Sequence, residues 1–264
     1  MPSLADFYRV QFRIAIPRPT TSFASKTVIV TGANGGLGVE ICKHLLRLRA
    51  EKIILACRSQ VRGDAAKQQL ESFFGCKPGI IEVWELDLES PSSIKKFAER
   101  ANTLQRVDVV INNAGIQTPD FKVVYGTERT LAVNAIATFL LILQLLPKLK
   151  ETARNFDTTP HCTIVSSALY DVAKYPEKHD DDLFAWYRDP AHVDGMNQYD
   201  QPSRTRLDLV LTCLITDTIS PSYSSYMPRS SWPTLWMLSA PRIRTPLSST
   251  LWIPVSARRG CPET

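Results

Sequence analysis

The chain has 264 residues, 44% of them hydrophobic and 22% charged, a composition that excludes collagen-like, fully disordered and disulfide-scaffold classes. The length suits one large α/β domain or two small ones and can bury a sizeable core. A formal net charge of +5, with Lys and Arg spread among acids, gives no case for a nucleic-acid partner. Six cysteines (Cys42, Cys57, Cys76, Cys162, Cys213, Cys261) lie far apart without a CxxC pair. Three of them, Cys42, Cys57 and Cys162, fall inside apolar segments, which reads as buried thiols in a reducing compartment. Residues 1–16 carry Asp6, Arg9 and Arg13 among apolar positions and resemble no secretory signal. The apolar stretch 135–146 is short for a membrane span and reads as a buried core helix. The expectation is a cytoplasmic protein with no membrane partner.

Strand-like and helix-like segments alternate from Lys26 onward. Residues 26–31 (KTVIVT) form a short β-branched run, and 37–48 follow with apolar Leu37, Ile41, Leu45 and Leu48 at helical spacing. Residues 52–57 (KIILAC) read as a second buried strand, 64–74 as a second helix and 80–88 as a third strand. Ser90 and Pro91 have the residue types of an N-cap and first helical position for a third helix. Residues 107–112 (VDVVIN) make a fourth strand, 127–149 a long fourth helix and 162–167 a fifth strand. Continuous apolar strands alternating with helices imply a doubly wound parallel sheet covered on both faces, an α/β fold of Rossmann type.

The regularity ends after Leu214. The last fifty residues hold ten serines and seven prolines, with Gly260 as their one glycine and no lysine after Lys178. That proline density forbids a long helix and disfavours central strands. The sequence thus divides into an extension (1–25), a dinucleotide-binding domain (26–214) and an irregular Ser/Pro-rich tail (215–264), which leaves the C-terminal part of the sheet incomplete. The tail reads either as loosely ordered or as an irregular cap on the domain.

Residues 31–38 read TGANGGLG, directly after the first strand and before the first helix. Gly32 permits a tight turn, Gly36 lets backbone approach a pyrophosphate, and Gly38 allows close packing of helix on sheet. The helix N-terminus then presents N–H groups and its positive dipole end to the phosphate. The alternative is a glycine-rich turn with no ligand.

TGANGGLG has the TGxxxGxG spacing of the short-chain dehydrogenase/reductase family. Residues 112–115 (NNAG) on the fourth strand match that family's second signature, and Asp87-Leu88 and Asn134 match in order and at family-like spacing. Over residues 26–167 the chain resembles the fungal, retinol dehydrogenase-like members, with a divergent or out-of-frame C-terminus. The resemblance implies that Leu37 contacts cofactor, Asp87 bonds the adenine and Asn113 lines the adenosine pocket. The end of the second strand is informative by itself. NAD-selective folds place an acid there for the ribose 2′-hydroxyl, whereas this chain has Arg58, followed by Arg62. A guanidinium pairs well with a 2′-phosphate, so the expected cofactor is NADP(H), against the alternative of a solvated surface arginine. Asn134 sits mid-helix against its propensity, so a local group should use its amide. The resemblance gives it a place in a proton relay; an internal cap or kink is the alternative.

Family chemistry is hydride transfer assisted by a serine, a tyrosine and a lysine four residues beyond that tyrosine. Ser167, at the end of the fifth strand, matches the serine. A literal YxxxK occurs at Tyr170 and Lys174, but it begins only three residues past Ser167, where the family keeps at least a dozen. The stretch 196–211 (MNQYDQPSRTRLDLVL) resembles the family's tyrosine-bearing helix. One register puts Pro202 and Arg206 at the tyrosine and lysine, and the other puts Tyr199 and Ser203 there. Without a nearby cation, a phenol keeps its ordinary pKa of about 10, too high for efficient proton exchange near neutrality.

The four histidines lack paired metal-ligand spacing, and His179-Asp180-Asp181-Asp182 reads as a solvated acidic loop, so no metal is expected. No GxSxG supports hydrolase chemistry. Two functions remain open. The first is an NADP(H)-dependent oxidoreductase acting on a small carbonyl or alcohol, in fungal secondary metabolism by resemblance. The second is a catalytically impaired nucleotide-binding homologue or vestigial truncated protein. The family's habit of pairing through its fourth and fifth helices implies a homo-oligomer.

Overall fold

The computed structural model describes residues 18–118, 120–165, 182–193 and 250–254. Strand β1 (Thr27–Thr31) leads into helix α1 (Gly36–Arg47), β2 (Lys52–Cys57), α2 (Gln60–Phe74), β3 (Ile81–Glu85), α3 (Pro91–Asn102) and β4 (Val109–Asn112). A hairpin of β5 (Val123–Val124) and β6 (Thr127–Glu128) precedes the long helix α4 (Arg129–Phe156). Strand β7 (His161–Val165), two short helices, α5 (Leu183–Trp186) and α6 (Pro190–Val193), and strand β8 (Thr250–Pro254) complete the elements.

The main sheet runs β3-β2-β1-β4-β7-β8. All its pairings are parallel except β7 with β8, which is antiparallel, with Cys162 opposite Ile253. β1 and β2 contribute to both faces. Val28, Val30, Ile53 and Leu55 pack with Val39, Cys42 and Leu45 of α1 and with Ala66 and Leu70 of α2. On the other face, Ile29, Ile54 and Ala56 pack with Ile94 and Phe97 of α3 and with Leu141, Leu145 and Leu149 of α4. This two-sided burial is the reason the strands read as continuous apolar runs rather than alternating ones.

Caps set the helix limits. Ser59 accepts from the Arg62 N–H at 3.4 Å, so α2 begins four residues before the start expected at Asp64, and Gly75 ends it in a left-handed conformation. Ser90 caps α3 and Pro91 opens it, as the sequence predicts. The fourth helix begins later than expected because Thr127 and Glu128 belong to the hairpin. Tyr125 and Gly126 both have positive φ, 55° and 77°, the combination that suits a two-residue hairpin turn to strand twist. α4 also extends to Phe156, and contrary to the short span expected from 135–146 it is long and apolar enough to cross a membrane. Burial still makes it a core helix, because 61% of its most apolar window lies inside the protein.

Of the stretch expected to be an irregular tail, only β8 falls within the described residues, and there it adds a sixth strand beside β7. Cys42, Cys57 and Cys162 are buried free thiols. Burial pushes the Cys42 and Cys162 thiols up to about 12.

Candidate cofactor cleft

The chain runs from β1 outward to β3 and then returns to β4 on the opposite side of β1. At such a reversal the loops leaving the carboxyl ends of two neighbouring strands part and leave a crevice. A cleft of about 520 Å³ lies there, lined by the glycine turn, the end of β2, residues 86–89 and residues 113–116.

The glycine turn is shaped by contacts a side chain would obstruct. Gly32 has φ +65°, and a Cβ there would lie 2.9 Å from the Ala114 Cα. A Cβ on Gly38 would lie 2.3 Å from the Gly32 carbonyl oxygen and 2.9 Å from the Ala33 Cα. Gly36, at φ +52°, meets nothing within 4 Å, so its role is conformational. The N-cap of α1 is Gly35, which makes no side-chain cap hydrogen bond. The first-turn N–H groups are therefore not claimed by a capping side chain, as an anion site requires. Leu37 is 68% exposed and stands at the cleft wall.

Asn113 also lines the cleft, but its amide points back into the protein and donates to the Thr31 carbonyl at 3.0 Å. Asp87 lines the cleft with its carboxylate accepting from the Glu89 N–H at 2.9 Å, while its own N–H donates to the Ser93 hydroxyl at 3.0 Å. Arg58 follows β2 and borders the same cleft, with Arg62 in the first turn of α2.

Sequence reasoning missed Glu89. Its Oε1 accepts from Arg129 Nε at 2.8 Å and Nη2 at 2.5 Å, its Oε2 accepts from Lys122 Nζ at 2.9 Å, and Arg58 Nη1 lies 3.5 Å from Oε1. Burial pushes the Glu89 carboxyl upward, but the hydrogen bonds from Arg129 and Lys122 outweigh it and hold the group below the ordinary carboxylate range. The hairpin is fastened to the same loop by Tyr125, whose hydroxyl donates to the Leu88 carbonyl at 2.9 Å.

Asn134 stands in a π-helical stretch, Ala132–Ala137, within α4. Its Oδ1 accepts from the Ile116 N–H at 2.8 Å and its Nδ2 donates to the Ile116 carbonyl at 3.0 Å. One side chain thus satisfies both backbone groups of the residue that follows NNAG, and the helix widens by one residue per turn to deliver it. Ser167, Tyr170, Lys174, Tyr199, Pro202 and Arg206 lie outside the described residues.

The family described as short chain dehydrogenase matches residues 26–155. The chain belongs to the short-chain dehydrogenase/reductase family. It is 42% identical over 165 residues to a short chain dehydrogenase/reductase of Cryptosporiopsis sp., covering 62% of this chain and 51% of the relative. To a short chain dehydrogenase of Emericella nidulans it is 37% identical over 209 residues, covering 78% and 66%. The chain thus spans about half to two-thirds of the length of the curated relatives it matches. Among solved structures it resembles the Pseudomonas aeruginosa RhlG/NADP active-site complex, with a TM-score of 0.55, 19% identity and coverage of 77% and 69%. Levodione reductase gives a TM-score of 0.54 at 16% identity, covering 77% and 68%. At such identities the likeness concerns the fold alone. The family match covers the part of the chain that carries the glycine turn, NNAG and Asn134.

Proposed function

We propose that this family member is an NADP(H)-dependent oxidoreductase that transfers a hydride between nicotinamide and a small carbonyl or alcohol. One observation carries the cofactor choice: Arg58 borders the cleft at the end of β2, the position where an acid would select an unphosphorylated ribose. Arg62 borders the same end and adds a second cation. A solved structural neighbour is titled as an NADP complex and another as complexed with NADPH, which agrees with this choice.

The residues present fit such a group. Gly32 and Gly38 leave no room for a Cβ, and the N-terminus of α1 has no side-chain cap, so a pyrophosphate can lie against backbone N–H groups. Asp87 would bond the adenine, Leu37 would lie against the cofactor, and Arg58 would pair with the 2′-phosphate. When bound, the nicotinamide supplies the hydride or accepts it. Asn134 holds Ile116 and with it the floor of the cleft. For the proton, we assign Ser167 to polarising the carbonyl and Tyr199 to donation, with Tyr170 and Lys174 as the alternative pair.

A second reading, a nucleotide-binding homologue without turnover, is favoured by the sequence at 199–206, where no register supplies both tyrosine and lysine. A thermal melt with NADPH or NADH, followed by NADPH oxidation over a carbonyl panel, separates the two. Ligand at about a hundred times its dissociation constant adds roughly 2.7 kcal/mol. The oxidoreductase reading expects stabilisation by NADPH above NADH and turnover that Ser167→Ala abolishes. Stabilisation without turnover supports the second reading, and no stabilisation by either nucleotide overturns both.

A further inference from the structure

We infer that Glu89 sets how strongly the cleft selects a 2′-phosphorylated nucleotide, by tethering the guanidinium of Arg58 at the adenosine end. The inference rests on the NADP(H) reading and its role for Arg58, and adds Glu89, Lys122 and Arg129, to which that reading gives no role.

Three cations converge on Glu89, and they are not equivalent. Arg129 and Lys122 take both carboxylate oxygens at 2.5–2.9 Å. Arg58 reaches only Oε1, at 3.5 Å, and its side chain is 64% exposed. Arg129 is 21% exposed, at the start of α4, and Lys122 stands beside the hairpin, so these two hold the carboxylate in place. Arg58 is therefore the exchangeable partner. It is also the one that borders the cleft, as does Glu89.

The exchange has a direction. A phosphate carries two charges at neutral pH and offers a guanidinium two parallel hydrogen bonds. Glu89 is already shared between two closer cations and offers one long contact. A 2′-phosphate can take Arg58 from Glu89, whereas a 2′-hydroxyl cannot, so with an unphosphorylated nucleotide Arg58 stays on the carboxylate. The preference for the phosphate is thus the difference between two partners of Arg58, and Glu89 is the weaker of them. Removing Glu89 should widen the preference. Strengthening its hold on Arg58 should narrow it.

The test uses two cofactor fragments that differ only in that phosphate, 2′,5′-ADP and 5′-AMP, bound to the full chain and measured by calorimetry. The readout is the ratio of their dissociation constants, and no turnover is needed. Glu89→Gln should widen the ratio about threefold, the scale of one exposed ion pair. Glu89→Asp keeps a charge for Arg129 and Lys122 but withdraws it from Arg58, so it should shift the ratio the same way and protects the test against a folding defect. Lys122→Gln, at a side chain 58% exposed, leaves Glu89 less neutralised and should narrow the ratio. In an Arg58→Ala background none of the three should change it.

An unchanged ratio in Glu89→Gln and in Lys122→Gln, with the wild type still preferring 2′,5′-ADP, overturns the tether while leaving the NADP(H) reading intact. Equal widening in the Arg58→Ala background also overturns it, because the carboxylate would then act on the phosphate directly. A wild type that binds both fragments equally overturns the NADP(H) reading itself.

Discussion

Thr31 and Asn113, the first residue past β4, clamp each other across the mouth of the cleft. Asn113 Nδ2 donates to the Thr31 carbonyl at 3.0 Å, while Thr31 Oγ1 accepts from the Asn113 N–H at 3.0 Å and from the Ala114 N–H at 2.9 Å. Thr31 is 1% exposed, so no water can replace its hydroxyl. Two strand ends that diverge to make room for a ligand are thereby held at a fixed separation.

Thr31→Val keeps the shape and removes the acceptor, which leaves the partly buried Ala114 N–H without a partner, while the Asn113 N–H keeps only the Ile111 carbonyl at 3.1 Å. A donor orphaned in this way costs about 1–3 kcal/mol. The expected loss is about 1–3 kcal/mol of unfolding free energy, read as a lower urea midpoint at unchanged slope. Thr31→Ser should recover most of it. A Thr31→Val protein as stable as the wild type would show that the clamp holds nothing.

Gly38→Ala tests the floor of the glycine turn. The new methyl would lie 2.3 Å from the Gly32 carbonyl oxygen and 2.9 Å from Asn113 Nδ2. Backbone must move, and overpacking of this kind costs about 1–3 kcal/mol. Because the displaced atoms are those that line the cleft, stabilisation by excess NADPH should vanish while the apo protein still melts cooperatively. Gly35→Ala is the control, since a Cβ there meets nothing within 4 Å.

Much of this region can be read directly from the sequence. The β-branched runs at 27–31 and 52–57 announce buried parallel strands because both of their faces are covered. Ser90-Pro91 marks a helix start through side-chain chemistry that is local to four residues. The hairpin escaped because its arms are two residues long, too short to alternate, and because Thr127 and Glu128 run into a helical pattern. Tyr-Gly between β-branched neighbours was the available signal. Glu89 escaped for a different reason. Its partners Lys122 and Arg129 are 33 and 40 residues away, and nothing in the spacing of an isolated glutamate announces them. Arg58 was legible as a position on the fold, while its neighbour across the cleft was not.

Asn134→Ala should unfasten Ile116 from α4. Both the N–H and the carbonyl of Ile116 bond to this amide, so two partly buried backbone groups lose their partners at once. We expect a loss of about 2 kcal/mol or more together with weaker NADPH binding, because Ile116 borders the cleft. Asn134→Asp keeps the acceptor for the Ile116 N–H but sets a carboxylate oxygen against the Ile116 carbonyl. It should therefore be no better than Asn134→Ala near neutral pH and should improve as the carboxyl takes up a proton. Equal stability of Asn134→Asp and wild type at neutral pH would contradict the donor role of Nδ2.

Acid should destabilise the fold in two stages. Burial, aided by Lys26, holds His161 below its ordinary value of 6.5. The unfolded chain takes up that proton first, so stability falls as pH drops below about 6.5. The second stage belongs to carboxylates. The hydrogen bond from Lys52, with one from Trp84, lowers Glu82 despite its partial burial, and Arg129 with Lys122 lowers Glu89. A depressed carboxyl contributes fully above its ordinary value near 4.5 and loses that contribution as pH falls through its folded pKa. Urea midpoints measured from about pH 8 down to about pH 3 should therefore decline gently and then steeply. His161→Gln should remove the gentle phase and leave the steep one, and Glu82→Gln should make the steep phase shallower, with the share of Glu89 remaining, and leave the gentle one. A single steep decline that His161→Gln does not alter would mean that the histidine is as easily protonated in the sheet as in the unfolded chain.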